Sequence, residues 1–538
     1  SPTDSPSPTD SPSPTDSPTT CPSPTPSPSP SPTTVPPGVG VSSDFNGDGY
    51  ADVAAGTPRE NIGTNVDAGS VTVLYGSEEG LRGVGSQLWH EGSSGVPGKP
   101  IAGDLFGFAL ASGDLDADGF ADLAIGSPFD DPRSLRNAGS INVLYGSTEG
   151  LQVDRARQLS QDTVGLPDFA EEGDRFGHSL AATDLNADGF VDLGVGLPGE
   201  SLPAASGIVQ KNAGGLQVLF GGASGLTTSG AVLLSQASRG VPDDPEPGDG
   251  FGSTIEAGDL DGDAHGDVMV GAPSEDVGGA IDAGATTVIP GADEGVRSID
   301  ASMLHQGKPG VAERPEGGDL FGWTITVGDL SGDGRDELVV GVHGEGVSGV
   351  GRAGAMHVFP GAEGGVSRAG SALWHQDVEG VEGTAGNADA FGKALAAGDL
   401  NGDGLDDLAV GARYDDEGGV PGAGVVHVLY GSPTGLTTTG SQLWNQGMTG
   451  SDLTGDGKDH FGNILAIASL RGDAIASLLI GAHFESYAGH AHAGVLHVLP
   501  GAAGGVTVSG TQLWTQDSTD VPEEIDGNDF FPFSLTGH

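Results

Sequence analysis

The chain has 538 residues, of which 97 are Gly and 35 Pro, and carries 20 Lys and Arg against 75 Asp and Glu, a net charge of 20 − 75 = −55. That balance makes nucleic acid and anionic membrane surfaces poor partners, and no apolar run approaches the eighteen or so residues of a membrane helix. The single cysteine, Cys21, excludes an intrachain disulfide and reads as an incidental or intermolecular thiol.

The chain starts at Ser1 without methionine or signal peptide, so it reads as processed or excised from a longer precursor. Residues 1–37 are low-complexity: Ser1-Pro-Thr-Asp-Ser-Pro6 repeats as 7–12 and 13–18, then decays into Ser-Pro and Thr-Pro pairs. Proline at this density favours a hydrated, extended backbone without a core, so the segment reads as a disordered linker or an O-glycosylated stalk.

From residue 38 onward one unit of about seventy residues recurs. Phe-Gly stands at Phe106, Phe176, Phe251, Phe321, Phe391 and Phe461, in steps of 70, 75, 70, 70 and 70. The unit at Phe391 predicts four strands: a small-residue strand over 391–398, an acidic loop, a second strand over 407–411, a third over 424–431 and a fourth over 441–446. No unit holds a helix-length amphipathic run. Four-stranded meanders repeated radially make a propeller. The prediction is therefore all-β: a seven-bladed β-propeller of four-stranded antiparallel blades after a disordered Pro/Ser/Thr-rich segment, with domains at 1–37 and 38–538. The first unit lacks a preceding Phe-Gly, while 528–538 imitate 173–180 and stop where an acidic loop would begin. Residues 531–537 are thus expected to supply the innermost strand of blade 1; residues 39–43 are the rival.

Each acidic loop is a nine-residue frame with side-chain ligands at positions 1, 3, 5 and 9, a backbone carbonyl at 7 and a turn-making Gly at 6. These are hard oxygen donors at calcium spacing. The predicted ligands are Asp44, Asn46, Asp48, Tyr50 and Asp52 in the first loop, then Asp114, Asp116, Asp118, Phe120 and Asp122 in the second. The third has Asp184, Asn186, Asp188, Phe190 and Asp192, and the fourth Asp259, Asp261, Asp263, His265 and Asp267. The fifth has Asp329, Ser331, Asp333, Arg335 and Glu337, and the sixth Asp399, Asn401, Asp403, Leu405 and Asp407. Ala264 replaces the turn glycine of the fourth loop, which predicts strain; Ser331 and Glu337 make the fifth the weakest. The seventh, 469–477, keeps one carboxylate and puts Arg471 at a ligand position, so it is expected to hold no metal. Its Arg471-Gly-Asp473 lies in the repeat frame and is read without adhesive meaning. About six Ca²⁺ ions bracing hairpins follow from this reading. Residues 452–459 imitate a calcium loop out of frame and read as a polar turn.

Phe251-Gly252, the 259–267 loop and Gly271-Ala-Pro273 resemble the FG-GAP repeats of integrin α-chain propellers and related secreted bacterial proteins. The resemblance covers the chain after the stalk. It implies calcium in the hairpins of the lower face and ligands on the upper face. The lost seventh site, Phe531-Pro532 in place of Phe-Gly and the absence of leg-like domains depart from the integrin pattern and put integrin-style heterodimerisation in doubt.

The upper-face loops then run through 57–67, 127–137, 197–212, 272–282, 342–352, 412–422 and 482–492. Arg59, Phe129, Arg133 and Arg136 on blades 1 and 2, with Arg413, Tyr414, His483, Phe484, Tyr487, His490 and His492 on blades 6 and 7, are candidate ligand contacts, because aromatic and Arg side chains are the usual hot-spot types. No nucleophile elbow, zinc-protease helix or phosphate loop is present, so no enzyme is expected. The functional expectation is an extracellular, secreted or surface-associated monomer that binds an extracellular protein or glycan. A propeller hydrolase or lyase and a passive accessory domain are the alternatives.

Overall fold

The structure is a computed structural model that describes residues 43–203, 209–416, 419–450, 453, 457–523, 525 and 527–537. The proline-rich opening, Cys21 and half of the 452–459 turn lie outside the described residues. Among the described residues are seven four-stranded antiparallel sheets, six of them in chain order from inner to outer strand and the first with the last strand of the chain innermost, and no helix long and apolar enough to cross a membrane. The propeller predicted from the repeat is the fold.

The sixth blade illustrates the unit. Its inner strand is Phe391–Gly398, its second Asp407–Ala412, its third Val425–Tyr430 and its outer Thr437–Trp444. The second and third strands are buried along their whole length, as expected for Val- and Leu-rich strands covered on both faces by neighbouring blades. The outer strand starts four residues before the predicted 441, because it continues through an irregular pairing between Val428 and Tyr430. The five extra residues of the third unit leave a short pairing of Leu202–Pro203 with Val209–Gln210.

Hydrophobic clusters form between blades rather than within them. One joins Val71, Val73 and Ala54 of blade 1 to Phe106, Leu123, Ile125 and Leu144 of blade 2. Each marker phenylalanine is 0% exposed, and Phe531 1%. The backbone N–H of each donates to an alanine carbonyl of the preceding blade: Phe106 to Ala68, Phe176 to Ala138, and so on to Phe531 with Ala493, at 2.9–3.0 Å. The glycine after that alanine is required. Gly69 has φ +88°, and a Cβ there would lie 2.2 Å from the Phe106 carbonyl oxygen. Because the Phe-Gly step is spent on this junction, most inner strands begin later than the marker, at Ala109, Leu180, Thr254, Thr324 and Ile464.

The inner strand of blade 1 is Ser534–Leu535, which pairs antiparallel with Val53–Thr57. Phe533 and Thr536 donate N–H bonds to Gly56 and Ala54, and Glu523 accepts the Ser70 and Thr72 hydroxyls at 2.6 and 2.8 Å. The inner strands contact one another in unbroken cyclic order. Their N-terminal ends therefore share one face and their acidic loops the other.

Candidate metal loops and the opposite mouth

In the acidic loops the carboxylates first organise their own backbone. Asp44 accepts N–H bonds from Gly47, Asp48 and Gly49, and Asp48 accepts from Tyr50. Asp52 accepts from Phe45 at the start of its loop and from Gly76 after the third strand, both at 2.9 Å. The same ninth-position pair recurs at Asp122, Asp192, Asp267 and Asp407. Glu337 departs from it: its longer side chain takes the Ser331 N–H instead. Ala264 does adopt φ +70°, as the missing glycine requires, and keeps its N–H bond to Asp259.

Burial is the first cause that lifts the ninth-position carboxyls: Asp52 and Asp122 to about 8, Asp192, Asp267 and Asp407 to about 7. The neighbouring loop carboxylates add to the shift, and the backbone N–H groups oppose it. A cation between them would offset that repulsion.

Two loops bring three carboxylates into common reach, with one oxygen of each within 4.8 Å of the others: Asp114, Asp116 and Asp122, and Asp259, Asp261 and Asp263. The second loop fits a hard cation best, because Asp116 Oδ1 is buried without a hydrogen-bond partner. Each carboxylate oxygen offers two lone pairs, so one N–H bond leaves capacity for a metal. Basic side chains also reach the loops. Arg155 meets Asp116 at 2.5 Å, Arg82 meets Asp48 at 3.1 Å, and His265 bridges Asp263 and Asp293. Arg155 and Arg82 lie on outer strands, outside the nine-residue frame, whereas His265 is the seventh residue of its own loop.

A closed ring of backbone bonds ties the loops together. The eighth residue of each donates to the first carbonyl of the loop before it: Ala121 to Asp44, Val191 to Asp114, Gly266 to Asp184, Asp336 to Asp259, Asp406 to Asp329, Ala476 to Asp399 and Ala51 to Ser469, at 2.8–3.2 Å. The carboxylate-poor seventh loop keeps both of its links.

The other face buries a second set of acids that the sequence reading missed. An Asp two residues before each marker (Asp104, Asp174, Asp249, Asp319, Asp389, Asp459, Asp529) is buried, as is an acid three residues after each second strand (Glu60, Asp130, Glu200, Glu275, Glu345, Asp415, Glu485). At six junctions a Gln from the end of the outer strand bonds the latter, as Gln161 does Glu200 at 2.8 Å and Gln516 does Glu60 at 2.9 Å. Blade 1 has Glu91 in the Gln position. There Gln158 bridges Glu91 and Asp130, and burial, then Asp130, then Asp104 push Glu91 up to about 9. All three positions recur in frame, so the signal was available.

At the mouth of that face the rings of Tyr414, His460, Phe484, His483, Phe533, Phe108 and His178 follow one another with centroids 4.5–6.2 Å apart. Phe129 meets Phe108 at 6.1 Å, and Arg59 lies 5.0 Å over Phe530, itself 4.9 Å from Phe484. Seven of the candidate contacts therefore lie along one run: Arg59, Phe129, Arg413, Tyr414, His483, Phe484 and His492. Arg133 is turned away in an ion pair with Asp162, and Tyr487 packs on the hydrophobic core with its backbone paired to His490. His483 and His492 both meet Phe484, whereas His490 belongs to the Tyr487 turn. Further along the mouth a cleft of about 220 Å³ is lined by Arg175, His178, Asn212, Ser253 and Ser274 with Pro198 and Gly199, Gly248 and Gly250, without a carboxylate.

The FG-GAP repeat family matches residues 36–74, 106–144, 251–289, 321–359 and 391–429. Integrin alpha-5 of Xenopus laevis is 31% identical over 243 residues, 44% of this chain and 20% of the relative. Phosphatidylinositol-glycan-specific phospholipase D of Bos taurus is 32% identical over 157 residues, 29% of this chain and 18% of the relative. The chain thus spans about a fifth of the length of these relatives. Among solved structures, an AofleA mutant from Arthrobotrys oligospora aligns over 74% of this chain and 88% of its own at 11% identity and a TM-score of 0.35. The V. cholerae biofilm matrix protein Bap1 aligns over 80% and 84% at 12% identity and a TM-score of 0.29.

Proposed function

We propose that this chain, a β-propeller of FG-GAP repeats, is an extracellular binding or adhesion module whose acidic loops hold about six structural Ca²⁺ ions and whose opposite mouth takes a protein or glycan ligand as a monomer. The carrying observation is the division of labour between the faces. Among the described residues, the charged groups that act on His178, His460 and His483 in the aromatic run at the mouth of blades 6, 7, 1, 2 and 3 are basic, although the chain has 75 acidic residues. Aromatic and Arg side chains on a rigid scaffold suit a binding surface. Where calcium is bound, it would neutralise the crowded carboxylates; Asp114, Asp116 and Asp122 are the residues that would hold it in the second loop. A calcium site of this kind fills at extracellular concentrations, which supports the extracellular reading.

The test is binding to a panel of purified polysaccharides and extracellular matrix proteins in saturating calcium. Phe484→Ala and Phe129→Ala should abolish a hit while leaving the melting temperature close to wild type, whereas Arg133→Ala should not affect it. A hit indifferent to both phenylalanines would place the ligand elsewhere.

One observation favours catalysis as a second reading. Glu91 beside Asp130 breaks the repeat pattern and has the raised pKa expected of a general acid. Against it, Glu91 is 5% and Asp130 8% exposed, so a substrate would have to open the junction between blades 1 and 2 to reach them.

A further inference from the structure

Lys393 and Arg413 are the only cations at their two positions of the repeat. The equivalents of Lys393 are Phe108, His178, Ser253, Trp323, Asn463 and Phe533; those of Arg413 are Pro58, Pro128, Pro198, Pro273, His343 and His483. The blade therefore folds without a charge at either place, and the pair is a local addition at the mouth between blades 5 and 6.

Among the described residues their surroundings show no counter-charge. Among the described residues neither cation forms an ion pair, in a chain with 75 carboxylates. Lys393 Nζ rests 3.4 Å from the centre of the Trp323 ring. Arg413 lies over Tyr414, donates from Nη1 to Asn463 Oδ1 at 2.5 Å and from Nη2 to the Tyr414 hydroxyl, and its buried Nε has no partner. Burial first and Arg413 second push the Lys393 ammonium down to about 6. A half-buried guanidinium and ammonium side by side, with no anion among the described residues, are a costly arrangement, and the lowered Lys393 value expresses that cost. Trp323 and Tyr414 flank them at 40% and 36% exposure, so the site is open to solvent.

We propose that Lys393 and Arg413 form an oxyanion-binding site, built for a carboxylate, sulfate or phosphate group carried by the ligand of this mouth. The proposal rests on reading this face as the ligand-binding face and specifies the chemistry of that ligand. Lys393 Nζ–H and, once an anion displaces the packing that buries it, Arg413 Nε–H supply the donors, while Asn463 and Tyr414 fix the guanidinium plane.

The test uses the full chain in saturating calcium and titrates sodium sulfate, phosphate, acetate and glucuronate by calorimetry. Saturable binding of at least one is expected, with a preference for planar carboxylate or tetrahedral oxyanion that identifies the group. Arg413→His and Lys393→Ser place residues that other blades carry at the same positions, so folding should survive. Each should weaken binding by about tenfold or more, and Arg133→Ala, turned away in its ion pair with Asp162, should not. Absence of saturable binding by all four anions, or binding indifferent to both variants, overturns the proposal. A neutral ligand bound at the mouth by a chain that ignores all four anions would overturn it too, while leaving the ligand-binding reading intact.

Discussion

The two faces of the propeller use the same residue type in opposite ways. On the loop face, carboxylates at successive odd positions crowd within one short turn and shape it through their own N–H bonds, as Asp44 does with Gly47, Asp48 and Gly49. On the other face, Asp and Glu come from separate segments, two or three to a junction, and are buried, and at six junctions a glutamine bonds one of them, as Gln161 does Glu200. The seventh loop shows what the first arrangement is not for. With a single carboxylate left, Asp473, it still bonds Ala51 and Ser77 of blade 1 through Ser469 and Leu470. Backbone bonds close the ring; the loop carboxylates are additional, and their crowding is what a cation would relieve.

Removing that relief should have the largest effect. With a Kd of about 0.1 mM and about 1 mM calcium, one site contributes about 1.4 kcal/mol and six together about 8 kcal/mol. Chelation should therefore lower the melting temperature steeply, as scanning calorimetry with and without EGTA would record. If the melt is unchanged, the loops are self-sufficient turns and the contrast between the faces collapses.

The clasp comes next. Phe531 is 1% exposed within the cluster that joins blades 7 and 1. Phe531→Ala should cost about 3–5 kcal/mol in chemical denaturation, comparable to removing any marker phenylalanine. A cost below about 1 kcal/mol would mean that the last strand is dispensable to the ring.

The buried acids should give the upper face its own pH dependence. Their folded values are raised, from about 6 at Asp319 through about 7 at Asp174 and Asp249 and about 8 at Glu200 and Glu275 to about 9 at Glu91. A carboxyl raised on folding contributes stability that is complete below its unfolded value and is lost as pH rises through the folded value. With calcium saturating, stability should fall between about pH 4 and 9. Glu91→Gln restores the residue type of the other six junctions and should raise the melting temperature at pH 9 while changing little at pH 5. A protein that grows more stable over this range would contradict the buried-acid assignment.

The smallest effect is Ala264→Gly. At φ +70° the alanine pays for a left-handed turn, and glycine should gain about 1 kcal/mol, read as a small rise in melting temperature with calcium present.

Much of this architecture is legible in the sequence, because the Phe-Gly period and the nine-residue acidic loops are local strings. Strand order and blade number follow from them. The marker's junction with the preceding blade is less legible: the role of Phe106 depends on Ala68 and Gly69, nearly forty residues upstream. The buried acids escape for the same reason. Asp174, Glu200 and Gln161 come from three segments, and their in-frame recurrence is visible only once the blades are superposed. At the mouth, attention to the loops finds Phe129 and Phe484 but misses Phe108, Phe533, Trp323 and Lys393, which stand at the start of the inner strands. It also includes Arg133 and Tyr487, whose side chains an ion pair and the core claim. Spacing places a residue near the mouth; which way its side chain turns depends on neighbours from another blade.

The most direct measurement is calorimetric titration of the calcium-stripped full chain with calcium, counting ions while monitoring the melt. The account predicts about six ions, a melting temperature that climbs as they bind, and no loss of an ion on Asp473→Asn in the seventh loop. One or two ions, or full occupancy without a change in stability, would contradict the claim that the loop carboxylates form a structural calcium ring.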